Sequence, residues 1–159
     1  MFTHIPKHHD MLADRVRMEA YQRAIRETVR QDDVVLDLGC GSGILSFLSV
    51  LAGARKVYAV DFNAPIVKEA RKIAEHNGWG DRIVFLTGAL EDLALPEKVD
   101  VIVSEILGSL GFDENVVKYL ADARERFLKP GGRIVPEWVD LFTVPAEMPE
   151  ERERHLGTW

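Results

Sequence analysis

An aspartate and three glycines near the start of the sequence have the spacing that a ligand-binding loop needs. Asp37 precedes Gly39, Gly41 and Gly43, and the loop lies between an apolar run and a second apolar segment. A loop from a strand into a helix is where an α/β sheet binds nucleotide-like ligands, and glycine lets the backbone approach them closely. A dinucleotide loop of the form G-x-G-x-x-G would have glycine at position 44, where this sequence has Ile44.

The spacing therefore favours a ligand other than NAD. A carboxylate at Asp37 would repel a pyrophosphate and attract the ammonium group of a methionine. We expect S-adenosylmethionine, which is cationic and carries no phosphate, with contacts from Asp37, Gly39 and Gly41 and with S-adenosylhomocysteine as product. The alternatives are a plain strand-to-helix turn and NAD-dependent redox chemistry.

Acidic residues after the next two apolar runs fit the same ligand. Asp61 ends the second run, where a carboxylate can accept hydrogen bonds from both hydroxyls of a ribose. The alternative is that Asp61 caps the helix expected from about Asn63 onward. After the third run, residues Thr87 to Asp92 could wrap an adenine, with the Glu91 carboxylate accepting from its amino group. Taken alone, Glu91 is more typical of an exposed loop charge.

Two glutamates, Glu105 and Glu114, stand on either side of a glycine-containing loop after the fourth apolar run. At the carboxyl edge of a parallel sheet, this loop would lie beside the glycine loop. Arginine stays protonated in proteins, so two carboxylates can hold its planar guanidinium and aim one nitrogen at a methyl donor. The alternative for Glu114 is a charge stabilised by a helix N-terminus, which its spacing alone favours.

The elements that would position these residues alternate between strands and helices, the pattern of βα units and a parallel sheet. We predict a Rossmann-like α/β fold with about five strands in the order 3-2-1-4-5, and an N-terminal amphipathic helix over the sheet edge or the site. The predicted strands are Val34 to Leu38, Val57 to Val60, Ile83 to Leu86, Val99 to Val103 and Arg133 to Val135. The predicted helices are Asp10 to Arg30, Ile44 to Leu51, Ala64 to His76 and Asn115 to Leu128. Lys129 to Gly132 is expected as a tight turn, and the chain as extended from Pro136 to Val144.

The composition limits the classes of function. The sequence has 159 residues, which fits one domain, and a net charge of −6 with a pI near 5.4. Nucleic-acid binding needs a basic surface, so we expect no nucleic acid and favour a cationic partner. Because the apolar runs are too short for a bilayer and the N-terminus lacks a secretory signal, we expect no membrane contact and a cytoplasmic location. The lone Cys40 cannot form an internal disulfide and is expected to be structural.

The quoted motifs together resemble the protein arginine methyltransferase family, from Phe2 to about Ala146. VLDLGCGSGILS resembles the family's cofactor loop, GARKVYAVD its second strand, SEILGSLGFDE its double-glutamate loop and LKPGGRIVPEWVDLF its closing strand. The double-glutamate loop is the specific part, since many methyltransferases share the glycine loop. The resemblance implies a class I methyltransferase fold with an N-terminal helix that caps the cofactor.

The resemblance also implies roles for single residues. Glu105 and Glu114 would clamp the substrate arginine. The N-terminal stretch HHDMLADRVR implies that Arg17 binds the cofactor carboxylate, that His8 lies near the cofactor and that Met11 lines the arginine channel. A guanidinium at Arg17 suits a carboxylate on chemical grounds as well. The other implied cofactor contacts are Gly39 and Asp61, with Leu90 and Glu91 at the adenine.

We expect three parts: a cofactor-capping helix region (residues 1–30), the cofactor-binding domain (31–145), and a polar tail (146–159) that starts a C-terminal domain outside this sequence. Family members continue into a β-barrel, so a barrel domain or a homodimer is an expected partner, besides an arginine-containing protein or peptide. The expected reaction is methyl transfer to a guanidinium nitrogen, with no metal. The alternatives are a small-molecule class I methyltransferase and a cofactor-binding fragment without turnover.

Overall fold

A parallel β-sheet lies at the centre of the structure, a computed structural model that describes residues 5–108, 111 and 114–150. Its strands are β1 (Val34–Leu38), β2 (Lys56–Asp61), β3 (Ile83–Thr87), β4 (Val99–Ser104) and β5 (Leu128–Val135). The helices are α1 (Ile5–Ala13), α2 (Arg15–Thr28), α3 (Ile44–Leu51), α4 (Ala64–His76) and α5 (Val116–Phe127), with a 3₁₀ turn at Leu90–Asp92. The order β3-β2-β1-β4-β5 confirms the predicted strand order and the Rossmann-like α/β class.

Helices cover both faces of the sheet, which is why the strands are nearly continuous apolar runs. All five residues of β1 are buried, and their side chains alternate between the faces. Val35 packs in a cluster with Ile25 of α2 and residues of α3 and α4. Leu36 packs in a second cluster with Ile102 and with Phe127 of α5. The strand order reverses beside β1, so the carboxyl ends of β1, β2 and β4 meet where open α/β sheets bind ligands.

The N-terminal segment forms two helices instead of the single helix predicted from Asp10 to Arg30. Asp14 separates α1 from α2 with φ −72° and ψ 92°, and its side chain accepts a hydrogen bond from the N–H of Arg17 at 3.1 Å. An aspartate N-cap of this kind satisfies a free N–H in the first turn of a helix. The apolar spacing continues past Asp14, so periodicity alone did not reveal the break.

Strand β5 begins earlier than predicted and includes the segment expected as a turn. The register with β4 shifts across residues 129–132, which lie opposite Asp100. Gly131 has φ +73° there, and the Lys129 ammonium contacts both carboxylate oxygens of Asp100 at 2.8 and 2.9 Å. The predicted turn is therefore an irregularity within the strand, not a loop before it.

The other predicted elements agree with the observed ones to within one residue at either end. Residues 138–148 form neither helix nor strand, and they expose Trp138, Phe142 and Val144. Within the described residues, every helix is too short or too polar to cross a membrane.

The Asp14→Ala variant should lower the free energy of unfolding by about 1 kcal/mol, the usual cost of losing an N-cap side chain. Asp14→Asn keeps an acceptor oxygen and should cost less. Urea unfolding followed by circular dichroism measures both, with Asp10→Ala, at an exposed site in α1, as the control. Equal losses for Asp14→Ala and Asp10→Ala would contradict the capping role.

Candidate functional site

A cavity of about 530 Å³ opens at the carboxyl ends of β1, β2 and β4. It is lined by the glycine loop, by the segments that follow β2, β3 and β4, and by residues of α1, α2 and the start of α5. The predicted site residues that line it are His8, Met11, Arg17, Gly39, Gly41, Asp61, Leu90, Glu91, Glu105 and Glu114. The structure thus brings together residues that are far apart in the sequence.

The glycine loop passes so close to other segments that two of its positions have no room for a side chain. Gly39 has φ +74°, and a Cβ atom there would lie 2.6 Å from Cγ2 of Ile106. Gly41 has φ +48°, and a Cβ atom there would lie 2.9 Å from Cε1 of His8. The N–H of Gly39 donates to the carbonyl oxygen of Val60 at 2.9 Å, which ties the loop to β2. The loop therefore presents backbone without side chains to this part of the cavity, as close ligand approach requires.

Asp61 joins the end of β2 to the glycine loop. Its Oδ2 accepts a hydrogen bond from the N–H of Gly41 and its Oδ1 from the N–H of Asn63, both at 2.8 Å. Asn63 is the N-cap of α4, since its own side chain accepts from the N–H of Ile66 at 3.4 Å. Each oxygen of the Asp61 carboxylate keeps a second lone pair. The contact of Asp61 with a ribose stays a prediction that its place on the cavity wall supports.

Asp37 lies behind the cavity wall, which corrects the placement expected from the sequence. Its side chain is fully buried, and Oδ2 accepts a hydrogen bond from Oγ of Ser46 on α3 at 2.6 Å. Alternation along β1 places Asp37 on the same face as Val35, towards α3. Oδ1 has no hydrogen-bond partner within the part of the chain that the structure describes. Burial raises the pKa of Asp37 to about 7, and the hydrogen bond from Ser46 opposes that shift.

Glu105 and Glu114 border the same cavity, beside Arg17 of α2. Nη1 of Arg17 lies 3.9 Å from Oε2 of Glu105, and its Nε lies 3.6 Å from Oδ2 of Asp14. Burial raises the pKa of Glu105; the charge of Arg17 opposes that shift and the charge of Glu114 adds to it. The two carboxylates therefore act on one another across the site. Glu114 borders the cavity as well as preceding α5, so its position favours the site over the alternative of a helix charge alone.

The remaining predicted contacts come from α1 and from the 3₁₀ turn. His8 and Met11 line the cavity from α1, and Nε2 of His8 is buried without a hydrogen-bond partner among the described residues. Leu90 is buried, whereas Glu91 is exposed and pairs with Lys118 of α5 at 3.2 Å. A backbone hydrogen bond and then Lys118 lower the pKa of Glu91. Across residues 5–108, 111 and 114–150, no group of three or more His, Cys, Asp or Glu could hold a metal ion.

Sequence reasoning missed aromatic side chains on the cavity wall. Phe62 directly follows Asp61, and Tyr119 lies on α5. Tyr21 follows Arg17 by four residues, so the two share one face of α2, and that spacing could have identified Tyr21. Its hydroxyl donates to the backbone oxygen of Ser104 at 3.0 Å, a contact that only the folded chain reveals.

Comparison with known proteins shows which families the sequence resembles. The sequence matches the family model described as ribosomal protein L11 methyltransferase (PrmA) over residues 18–136. Probable protein arginine N-methyltransferase 6 of Arabidopsis thaliana is 38% identical over 160 residues, covering 99% of this chain and 37% of that protein. Protein arginine N-methyltransferase 2 of Dictyostelium discoideum is also 38% identical, covering 99% and 31%. The chain therefore spans well under half the length of these curated relatives.

Solved structures of arginine methyltransferases contain a similar fold. A structure of Arabidopsis thaliana protein arginine methyltransferase 10 superposes with a TM-score of 0.79 and 41% identity, over 84% of this chain and 38% of that one. The Trypanosoma brucei PRMT1 enzyme-prozyme heterotetrameric complex with AdoHcy gives 0.78 and 38%, over 82% and 42%. The described fold thus corresponds to part of each of these longer proteins.

The buried carboxyl of Asp37 should make the stability of the chain depend on pH. Folding raises its pKa from 3.8 to about 7, so the folded chain binds the proton more tightly, and the free energy of unfolding decreases as the pH rises through that range. Asp37→Asn stays neutral and should remove this contribution. As the pH rises through this range, the free energy of unfolding of Asp37→Asn should increase relative to that of the unchanged chain. The increase should be on the order of a few kcal/mol, at about 1.4 kcal/mol per unit of pKa shift.

Urea unfolding of both chains at about pH 5 and about pH 8 measures this difference. The free energy of unfolding of Asp37→Asn, relative to that of the unchanged chain, should be higher at about pH 8 than at about pH 5. A difference in stability that stays constant with pH would contradict the account of Asp37.

Proposed function

We propose that this chain, which belongs to the ribosomal protein L11 methyltransferase (PrmA) family, binds S-adenosylmethionine and transfers its methyl group to an arginine side chain of a protein. The resemblance to protein arginine methyltransferases predicted from the sequence is confirmed by the named relatives and structures. Because the chain spans 37% and 31% of those two relatives, the reaction is proposed for it on the site itself. The observation that carries the proposal is the pair Glu105 and Glu114 in one cavity with the glycine loop.

The cavity fits the proposed cofactor. Gly39 and Gly41 leave backbone without side chains at the wall, and the buried Nε2 of His8 offers an unused polar atom. Arg17 would bind the carboxylate of the methionine part and Asp61 the ribose, two groups whose charge and hydrogen bonding match them. Leu90 and Glu91 would meet the adenine. When bound, S-adenosylmethionine supplies an electrophilic methyl group on a sulfonium sulfur, and S-adenosylhomocysteine is the product.

The two glutamates would hold the guanidinium of the substrate. Charge-assisted hydrogen bonds from its nitrogens to Glu105 and Glu114 fix its plane and leave one nitrogen free to react. Positive charge gathers on the nitrogens that contact the carboxylates, and holding the free nitrogen in place removes much of the entropic barrier. The reacting nitrogen gives up a proton. The Glu105 carboxylate, which the clamp holds against the guanidinium, is the acceptor for that proton.

The charge around the site agrees with a cationic substrate. Glu105, Glu114, Asp14 and Asp61 lie near or on the cavity, in a chain with a net charge of −6. A β-barrel domain, a homodimer and a cytoplasmic location stay predictions from the sequence. The Trypanosoma brucei relative is described as a heterotetrameric complex, which supports the search for a partner.

Mass spectrometry after incubation with methyl-labelled S-adenosylmethionine tests the proposal. The chain is offered arginine-rich peptides and, separately, a mixture of small metabolites. Label on an arginine nitrogen is the expected result. Label on small molecules alone would instead identify a small-molecule methyltransferase, and cofactor binding without any transfer would identify a cofactor-binding part that lacks turnover.

The variants Glu105→Gln and Glu114→Gln should each reduce kcat for arginine methylation by about a hundredfold or more, the scale on which misplacement of a reacting group acts. Cofactor affinity, measured by calorimetry with S-adenosylhomocysteine, should stay within a few-fold, because neither carboxylate is assigned to the cofactor. Glu97→Gln is the matched control, since Glu97 pairs with the exposed Arg55 away from the cavity. Full activity in both site variants would rule out the clamp.

Methyl transfer should be lost on the acid side at a higher pH than an ordinary glutamate would give. Glu105 must be ionised to accept hydrogen bonds from a guanidinium, and burial raises its pKa above the usual 4.5. The rate should fall as the pH decreases through that raised pKa, because the protonated form loses acceptor capacity and charge. The pH dependence of kcat/KM measures this. An unchanged rate down to pH 4.5 would contradict the assigned role of Glu105.

A further inference from the structure

Tyr21 reaches from α2 to the peptide that carries Glu105. Its hydroxyl donates a hydrogen bond to the backbone oxygen of Ser104 at 3.0 Å. Ser104 is the last residue of β4, is 1% exposed and directly precedes Glu105. The last residue of β4 paired with β5 is Val103. The Tyr21 hydroxyl therefore contacts the end of β4 from outside the sheet, next to Glu105.

The same short stretch is fixed to the glycine loop on its other side. Oγ of Ser104 donates to the carbonyl oxygen of Leu38 at 2.8 Å, and Leu38 immediately precedes Gly39. The side chain of Ile106 packs against Gly39, where an added Cβ would lie 2.6 Å from it. A displacement of the glycine loop or of α2 would therefore move the backbone next to Glu105, because Ser104 is bonded to both and Ile106 packs on Gly39.

Helix α2 contacts both Glu105 and the residue before it. Arg17 and Tyr21 are four residues apart and share a helix face. Arg17 approaches the Glu105 carboxylate at 3.9 Å, while Tyr21 holds the preceding carbonyl oxygen. Burial and then the charge of Glu105 raise the pKa of Tyr21, so the phenol keeps its proton and stays a donor. A ligand that binds Arg17 therefore binds the same helix whose Tyr21 holds the carbonyl group of Ser104.

We propose that Tyr21 is a positioning residue, which transmits the occupation of the cofactor part of the cavity, through α2 and the Ser104 carbonyl, to the Glu105 carboxylate. This rests on the proposed function, in which Arg17 binds the cofactor and Glu105 holds the substrate. Tyr21 touches neither the methyl group nor the guanidinium in this role. It holds the backbone before Glu105 in place while Arg17 of the same helix binds the cofactor.

The kinetic test is Tyr21→Phe, which keeps the ring and removes the single hydrogen bond. We expect kcat for arginine methylation to fall by about tenfold, the effect of one lost hydrogen bond in an oriented site. The dissociation constant of S-adenosylhomocysteine and the urea midpoint should change little. Tyr58→Phe is the matched control, because the Tyr58 hydroxyl also donates to one acceptor, Glu97, at 3.2 Å but away from the cavity. Equal kcat values for Tyr21→Phe and Tyr58→Phe would overturn the proposal.

Hydrogen exchange gives a second measurement that needs no methyl transfer. In the unchanged chain, adding S-adenosylhomocysteine should slow amide exchange both in α2 and in residues 105–108. In Tyr21→Phe, α2 should still be protected while residues 105–108 lose the added protection. Protection of both segments in the variant would overturn the role of Tyr21, even where arginine peptides are not methylated. Ligand binding without arginine methylation in the unchanged chain would count against the proposed function alone.

Discussion

The carboxylate of Asp61 holds together the three segments on which the site depends. By accepting hydrogen bonds from Gly41 and Asn63 at 2.8 Å each, it fixes the end of β2 to the glycine loop before it in sequence and to the helix after it. The loop is also bonded to β2 through Gly39 and Val60. Ile106 and His8 pack on the glycines of the loop at distances that exclude a Cβ atom. Because Asp61 itself borders the cavity, the group that shapes the loop also faces whatever the loop binds.

The charges around the cavity are arranged so that one cation serves two acids. Arg17 lies between Asp14, the cap of its own helix, and Glu105 at the end of β4. Binding of a carboxylate by Arg17 would weaken its hold on Glu105 and leave that glutamate available to a second cation. A partly buried carboxylate with a raised pKa is stabilised by such a cation. The site is therefore suited to a zwitterionic ligand and a cationic substrate bound side by side.

Much of this arrangement could be predicted because it follows from short-range patterns. Strands buried on both faces give apolar runs that are visible in the sequence, and the spacing of Gly39, Gly41 and Gly43 excluded the dinucleotide loop. Asp37 was misplaced because the sequence shows that a strand alternates but not which of its faces meets α3. The break at Asp14 was missed because an N-cap leaves the apolar period intact. The Tyr21 contact with Ser104 joins residues that are 83 positions apart in the sequence, and no local pattern encodes it.

A crystal structure of the chain with S-adenosylhomocysteine tests the central claim, that this cavity holds the cofactor beside a clamp for arginine. The account predicts that the ligand carboxylate contacts Arg17, that the ribose hydroxyls contact Asp61, that the adenine lies against Leu90, and that Glu105 and Glu114 face an open part of the cavity next to the sulfur. A ligand bound elsewhere, or one whose sulfur is separated from both glutamates by protein, would contradict it.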